Sequence, residues 1–230
     1  MKKQLSYINE QEKTQEFFKK VYLWMFLGLL VSSIVAYIVP NQFKSFSLLL
    51  FSNDWIYLFT FLAYIGFIWF LSARIMKLSY NTGIVLFFVQ AILMGLLFSS
   101  IFLVFEMSSI ALIFFITAVI FGLLSLFGYF TKMDLSGLGP VLFVGLIGII
   151  IITIINIFMK NSFVDMFISI IAVLIFIGFT AYDNYMLKKI VKNENHQDTL
   201  NKLAILGALA LFLDYINLFL NLLSLFGDRK

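Results

Sequence analysis

A chain of 230 residues that is 62% hydrophobic and only 12% charged lies far from the balance of soluble domains, which run near half apolar and a quarter charged. It reads as one polytopic membrane domain with no room for a soluble domain beside it, and the absence of cysteine excludes disulfides, thiolate metal sites and thiol catalysis. The net charge of +4 resides in loops, without a basic stripe interleaved with aromatics, so it suits anchoring at a membrane face and excludes nucleic acid as a partner.

Residues 1–20 are polar and mixed in charge, a cytoplasmic N-terminal segment expected to be short and amphipathic or frayed. They precede the first apolar run without a small-residue cleavage site, so no removable signal peptide is expected. Val21–Val39 is the first predicted crossing, ended by Pro40 and the polar loop Asn41–Asp54. Trp55–Ala73 is the second, with Trp55, Tyr57 and Trp69 as interfacial anchors and Arg74 and Lys77 closing it. Gly83–Phe105 and Ile110–Phe130 follow, joined by a tight turn at Glu106. After the loop Thr131–Gly139, Pro140 is placed to open the fifth crossing, Val141–Met159. The sixth, Met166–Tyr182, terminates in Asp183, and a hydrophilic loop, Asn184–Lys202, leads to the seventh, Leu203–Phe226. The predicted fold is therefore all-α, a seven-helix membrane domain over 21–227 with a short extracytoplasmic tail at 228–230. Gly145 and Gly148 on the fifth crossing, and Ala118, Gly122, Ser125 and Tyr129 on the fourth, read as places where backbones approach closely. Thr153 and Asn156 read as a polar packing pair.

Orientation follows from lysine and arginine. The N-terminal segment and the loops on its side carry twelve, whereas the opposite side has only Lys44, Lys160, Arg229 and Lys230. The positive-inside rule then predicts a cytoplasmic N-terminus and an outside C-terminus. Residue usage rich in Phe, Ile, Lys and Asn suggests a bacterial plasma (inner) membrane.

The last crossing is not uniformly apolar. Gly207, Ala210, Asp214, Asn217, Asn221 and Ser224 recur in steps of three and four and fall on a single helical face. A carboxylate at membrane depth costs ~3 kcal/mol or more on insertion scales, so Asp214 is expected to face protein or trapped water. This helix is therefore predicted to lie at the centre of the bundle, with Gly207, Asn217, Asn221 and Ser224 as pore-lining candidates. Asp183 approaches Asp214 if the sixth helix packs on the seventh. Two carboxylates in a poorly hydrated place cannot both ionise cheaply, so such a pair shares a proton and, once deprotonated, attracts cations. Arg74 is a candidate partner for that charge, while Glu106 reads as a solvated turn residue. The single histidine, His196, falls in a hydrophilic loop, and no HExxH, Walker A, GxGxxG or nucleophile-elbow motif is present. A catalytic residue is not expected.

Gly178-Phe179-Thr180-Ala181-Tyr182-Asp183 and the run Leu211-Phe212-Leu213-Asp214-Tyr215-Ile216-Asn217-Leu218-Phe219 resemble the end of the Bax inhibitor (transmembrane Bax inhibitor motif) family. Gly128-Tyr129-Phe130-Thr131-Lys132-Met133-Asp134-Leu135-Ser136 and Asn156-Ile157-Phe158 extend the resemblance over nearly the whole chain. The resemblance implies two three-helix layers around a central C-terminal helix, and a pH-sensitive passive calcium leak. By motif, the proton-sensing pair is Asp183 and Asp214, with Arg74 or Lys77 as the basic residue near it. Hard cations prefer oxygen ligands, so the two aspartates, with Asn217 or Asn221 amides, suit transient calcium binding. The permeant calcium ion takes the place of a resident cofactor, of which none is expected. Calcium ions, protons and the lipid bilayer are the expected partners, and a monomer is compatible with the pattern. Two other readings use the same acids: an intramembrane aspartyl protease and a proton-coupled cation transporter. Against the protease, Leu211-Phe212-Leu213 precedes Asp214 where those enzymes carry Gly-Xaa-Gly.

Overall fold

The computed structural model describes residues 2–43 and 54–230. Most of the Asn41–Asp54 loop, with Lys44, and the Tyr57 side chain lie outside the described residues. The elements are α1 (Lys2–Gln42), α2 (Asp54–Arg74), a 3-10 turn (Ile75–Lys77), α3 (Tyr80–Phe98), the single turn α4 (Ile101–Val104), α5 (Met107–Phe130), α6 (Leu138–Met159), α7 (Ser162–Asn193) and α8 (Gln197–Phe226). Among the described residues seven helical segments are long and apolar enough to cross a membrane, α3 and α4 together forming one of them. Among the described residues all regular structure is helical except one antiparallel backbone bridge, Phe105 with Arg229.

Helix α8 is the most buried span, with 67% of its apolar window inside the protein against 39% or less for the others. It packs on α1, α3, α5, α7 and the 3-10 turn, while α2 leans on α3 and α6 on α7. Lipid is as apolar as leucine, so close packing must hold these helices together. Gly207 supplies it at one crossing, where a Cβ would lie 2.7 Å from Leu187 Cδ2 and 3.4 Å from Val21 Cγ2. Around α8, Phe212 meets Phe87 edge-on at 6.2 Å, and Tyr215 meets Phe114 and Phe121 at 5.2 and 5.5 Å. The opposite surfaces of the outer helices, such as Trp69, Val141 and Phe163, are exposed.

The helices are longer than hydropathy predicts. The segment 1–20 is not frayed from residue 2 onward but continues α1, with Thr14, Phe17 and Phe18 buried. The expected loop Asn184–Lys202 is mostly helix: α7 runs to Asn193, α8 starts at Gln197, and residues 194–196 alone connect them. Past Asp183 the apolar and small polar positions Asn184, Leu187 and Val191 keep the helical period and are buried, while Lys189 and Lys192 face out. The segment is polar on average and amphipathic in detail.

Two expected packing glycines pack nothing. A Cβ on Gly122 or Gly148 would meet no atom within 4 Å, whereas Gly145 does lie against Ile175. The tightest approach instead involves Gly128, where a Cβ would collide with the carbonyl oxygen of Ala181. Nearby, Gly139 gives room to the Tyr182 ring. The loop that follows α5 is tied to α7 by hydrogen bonds from Tyr185 Oη to Asp134 Oδ1 (3.0 Å) and from Lys189 Nζ to Ser136 Oγ (3.0 Å). The motif around Gly128 and Asp134 is thus a corner that locks α5, its loop and α7 together.

At the other face the last residues fold back. The Glu106 N–H donates to Asp228 O, Lys230 N–H to Val104 O and Asp228 N–H to Ser109 Oγ, each at 2.9 Å. Arg229 lies over the Phe105 ring at 5.8 Å. The tail 228–230 is bonded to the turn between α4 and α5, and Glu106 occupies the exposed N-cap position of α5.

Candidate functional site

Helices α7 and α8 run antiparallel with Leu187 against Gly207 toward one end and Ser169 Oγ bonded to Ser224 Oγ at 3.1 Å toward the other. That register brings Asp183 opposite Asp214. The two carboxyl groups lie within hydrogen-bonding reach of each other. Asp183 sits inside α7, not at its end, and Asp214 is only 4% exposed. One oxygen of Asp214, Oδ2, is buried without a hydrogen-bond partner. An unpaired buried carboxyl oxygen is an expensive arrangement.

Both acids line a cavity of about 260 Å³ between α7 and α8, bordered by Leu146 of α6 and Ser72 of α2. Its wall is mostly leucine and phenylalanine, and Ser72, Asp183, Asp214 and Asn217 are its polar members. The space accommodates several waters. Asn217 donates its Nδ2 to Leu213 O at 2.8 Å, which leaves the Oδ1 end as an acceptor or ligand. The chemistry available is therefore proton sharing between two carboxyls and loose coordination of a hard cation by two carboxylates, an amide oxygen and a hydroxyl. Among the described residues no three His, Cys, Asp or Glu side chains gather. A calcium ion held here would take its remaining ligands from water and neutral oxygens.

The other pore-lining candidates do not join this cavity. Gly207 faces Leu187 and Val21, Ser224 bonds Ser169, and Asn221 donates to Asn217 O at 2.7 Å. The polar face of α8 is divided among several packing jobs, and only its middle reaches open space. Arg74 is exposed at the end of α2, as is Lys77 in the 3-10 turn, and neither lines the cavity; the α2 residue in its wall is Ser72, two positions earlier. Asn156 is buried and bonds Asn161 O and Asp165 Oδ1, fastening the α6–α7 corner.

Sequence reasoning overlooked a polar junction one residue from the pair. Asn184, fully buried, accepts from Tyr22 Oη at 2.6 Å and donates to Ser125 Oγ at 3.2 Å and Thr180 O at 2.7 Å. It fastens α1, α5 and α7 beside Asp183. A second junction joins α2 to α3, where Gln90 Nε2 donates to Tyr64 Oη at 2.6 Å. The spacing of Asn184 from Leu187 and Val191 carried the signal, but a hydropathy average over the segment hides it.

The family model described as "Inhibitor of apoptosis-promoting Bax1" matches residues 14–230. The chain is 41% identical to the "Inner membrane protein YbhL" of Escherichia coli strain K12 over 98% of this chain and 97% of that protein. It is 37% identical to an uncharacterized protein of Borreliella burgdorferi over 94% of this chain and 93% of the relative. A Rickettsia prowazekii protein, RP147, is 33% identical over 95% and 92% of the two lengths.

Proposed function

We propose that this chain, which belongs to the Bax inhibitor family, is a passive calcium leak gated by protonation of Asp183 and Asp214. The observation that carries the reading is the meeting of those two carboxyls beside a cavity in the membrane domain. With one proton between them the pair holds α7 to α8 as a single hydrogen-bonded contact. Removing that proton puts two like charges at close range in apolar surroundings, which favours separation of the helices or entry of a cation. Adding a second proton abolishes the charge that draws the cation in. Flux is thus coupled to pH through the pair, and Arg74, two positions after Ser72 of the cavity wall, is the proposed basic partner. The name of the Escherichia coli relative supports placement in the inner membrane. The distribution of lysine and arginine supports a cytoplasmic N-terminus.

The reading is of a channel, not an enzyme. An aspartyl protease would use the same acids, and a proton-coupled transporter would move cations uphill. The deciding experiment is calcium flux into proteoliposomes across a pH series. Asp183→Asn and Asp214→Asn are each expected to flatten the pH dependence, with flux running only downhill. Unchanged pH dependence in both variants would remove the aspartate gate. Cleavage of a model transmembrane peptide by the wild type would move the chain to the protease class.

A further inference from the structure

Three adjoining cavities run along the seam between α1 and α5. One of about 440 Å³ lies deepest, against Ala118, Phe121 and Gly122. It shares Tyr22, Phe26, Ser125 and Leu126 with a second of about 640 Å³. That one in turn shares Gln15, Tyr129 and Phe130 with a third of about 390 Å³. Together they form a groove whose rim is apolar and open outward: Phe26, Leu126 and Phe130 are 61%, 56% and 68% exposed. Gly122 faces open space, so the small residues of α5 hollow the groove instead of drawing a helix close. Its wall is fixed, because Tyr22 and Ser125 are held by Asn184.

The chemistry changes along its length. The inner cavities are lined almost wholly by apolar groups, whereas Lys19 lines the second and Lys188 and Lys192 line the third. Among the described residues none of these lysines pairs with a carboxylate. Lys188 lies over the Tyr129 ring at 5.0 Å and donates to the Tyr129 carbonyl, which keeps its ammonium at the groove end. Among the described residues Glu10 is the one acid in that wall.

We propose that this groove seats one anionic phospholipid from the leaflet on the side of the α7–α8 turn. Its acyl chain lies along Phe26, Gly122 and Leu126, and its phosphodiester meets Lys188 and Lys192. Any open apolar groove in a bilayer fills with lipid chain. The basic end makes this one selective, since basic pockets between spans at the membrane face hold anionic headgroups. A second copy of the chain fits less well, because two-fold pairing through this face sets the lysine clusters against each other.

Native mass spectrometry of the full-length protein from detergent micelles, with added dioleoyl phosphatidylglycerol or dioleoyl phosphatidylcholine, tests the assignment. One phosphatidylglycerol is expected to stay on each chain, preferred over phosphatidylcholine by about fivefold or more. Lys192→Gln, at an exposed position, should weaken that preference by about fivefold, and Lys188→Gln with Lys192→Gln should erase it. Gly122→Leu, at a position where an added Cβ meets nothing within 4 Å, puts a side chain into the groove and should lower retention of both lipids. Equal retention of the two lipids by the wild type would overturn the proposal. So would undiminished retention in Gly122→Leu, displacement by glycerol phosphate alone, or a dimer without bound lipid.

Discussion

Gly128 and Gly122 sit six residues apart on one helix, yet the structure gives them opposite roles. A methyl group at Gly128 would strike the Ala181 carbonyl, backbone that cannot step aside, so Gly128→Ala should cost about 1–3 kcal/mol. At Gly122 a methyl meets nothing within 4 Å, and replacing helical glycine with alanine is worth about 0.5–1 kcal/mol. Gly128→Ala should therefore lower the thermal midpoint in detergent, and Gly122→Ala should raise it slightly. Equal shifts in the same direction would show that the α5–α7 contact is not formed as described. The sequence marks both positions as small without distinguishing them, since smallness says that something could come close, not that it does. Asp214 was more legible. A lone acid midway along an apolar helix has few sensible destinations, and its partner Asp183 followed once the two last spans were taken as neighbours.

At the scale of elements, the spans were legible as apolar runs, and their ends were not. Lipid-facing length can be read from hydropathy, but α7 leaves the apolar zone and continues as a helix of the soluble kind, held by one face. There the loop after α5 docks through Asp134, whose carboxyl is held down to about 2 by hydrogen bonds from the Ser136 hydroxyl and backbone N–H and from Tyr185. An acid depressed below its unfolded value of about 3.9 contributes its full stabilisation above that value and loses it progressively as pH falls from there through about 2. Asp134→Asn should consequently lower the thermal midpoint by the same amount at every pH from about 5 to 8. A difference that varies inside that window would contradict the docking geometry. By the same reasoning, a flux response to pH within it originates elsewhere than in this corner. Glu194, in the turn after α7, is likewise shifted down by the backbone N–H groups of His196 and Asn195 and adds no titration there.

For the whole molecule, seven spans put the α7–α8 turn and the C-terminal tail on opposite faces. The chain has no cysteine, so a single introduced thiol reports its own side. Asn195→Cys is expected to react with an impermeant maleimide only after the cytoplasmic face is opened, and Arg229→Cys in intact cells. The reverse pattern would invert the orientation and, with it, the leaflet assigned to the lipid groove. That the final helix occupies the centre was readable from its polar strip, because a helix with no face suited to lipid must be surrounded by protein. Which neighbours surround it was not readable, since contacts such as Tyr22 with Asn184 join positions 162 residues apart.

The backbone bonds that fasten residues 228–230 to the α4–α5 turn moor the far tip of α8. The near tip is held as well, joined to α7 by residues 194–196 and bonded to α1 where Lys20 Nζ donates to Asn201 Oδ1 at 3.1 Å. A rod fixed at both ends cannot swing like an oar. Parting the two acids therefore calls for a roll or a bow of α8 in its middle, where Asp214 lies about 20 Å from one mooring.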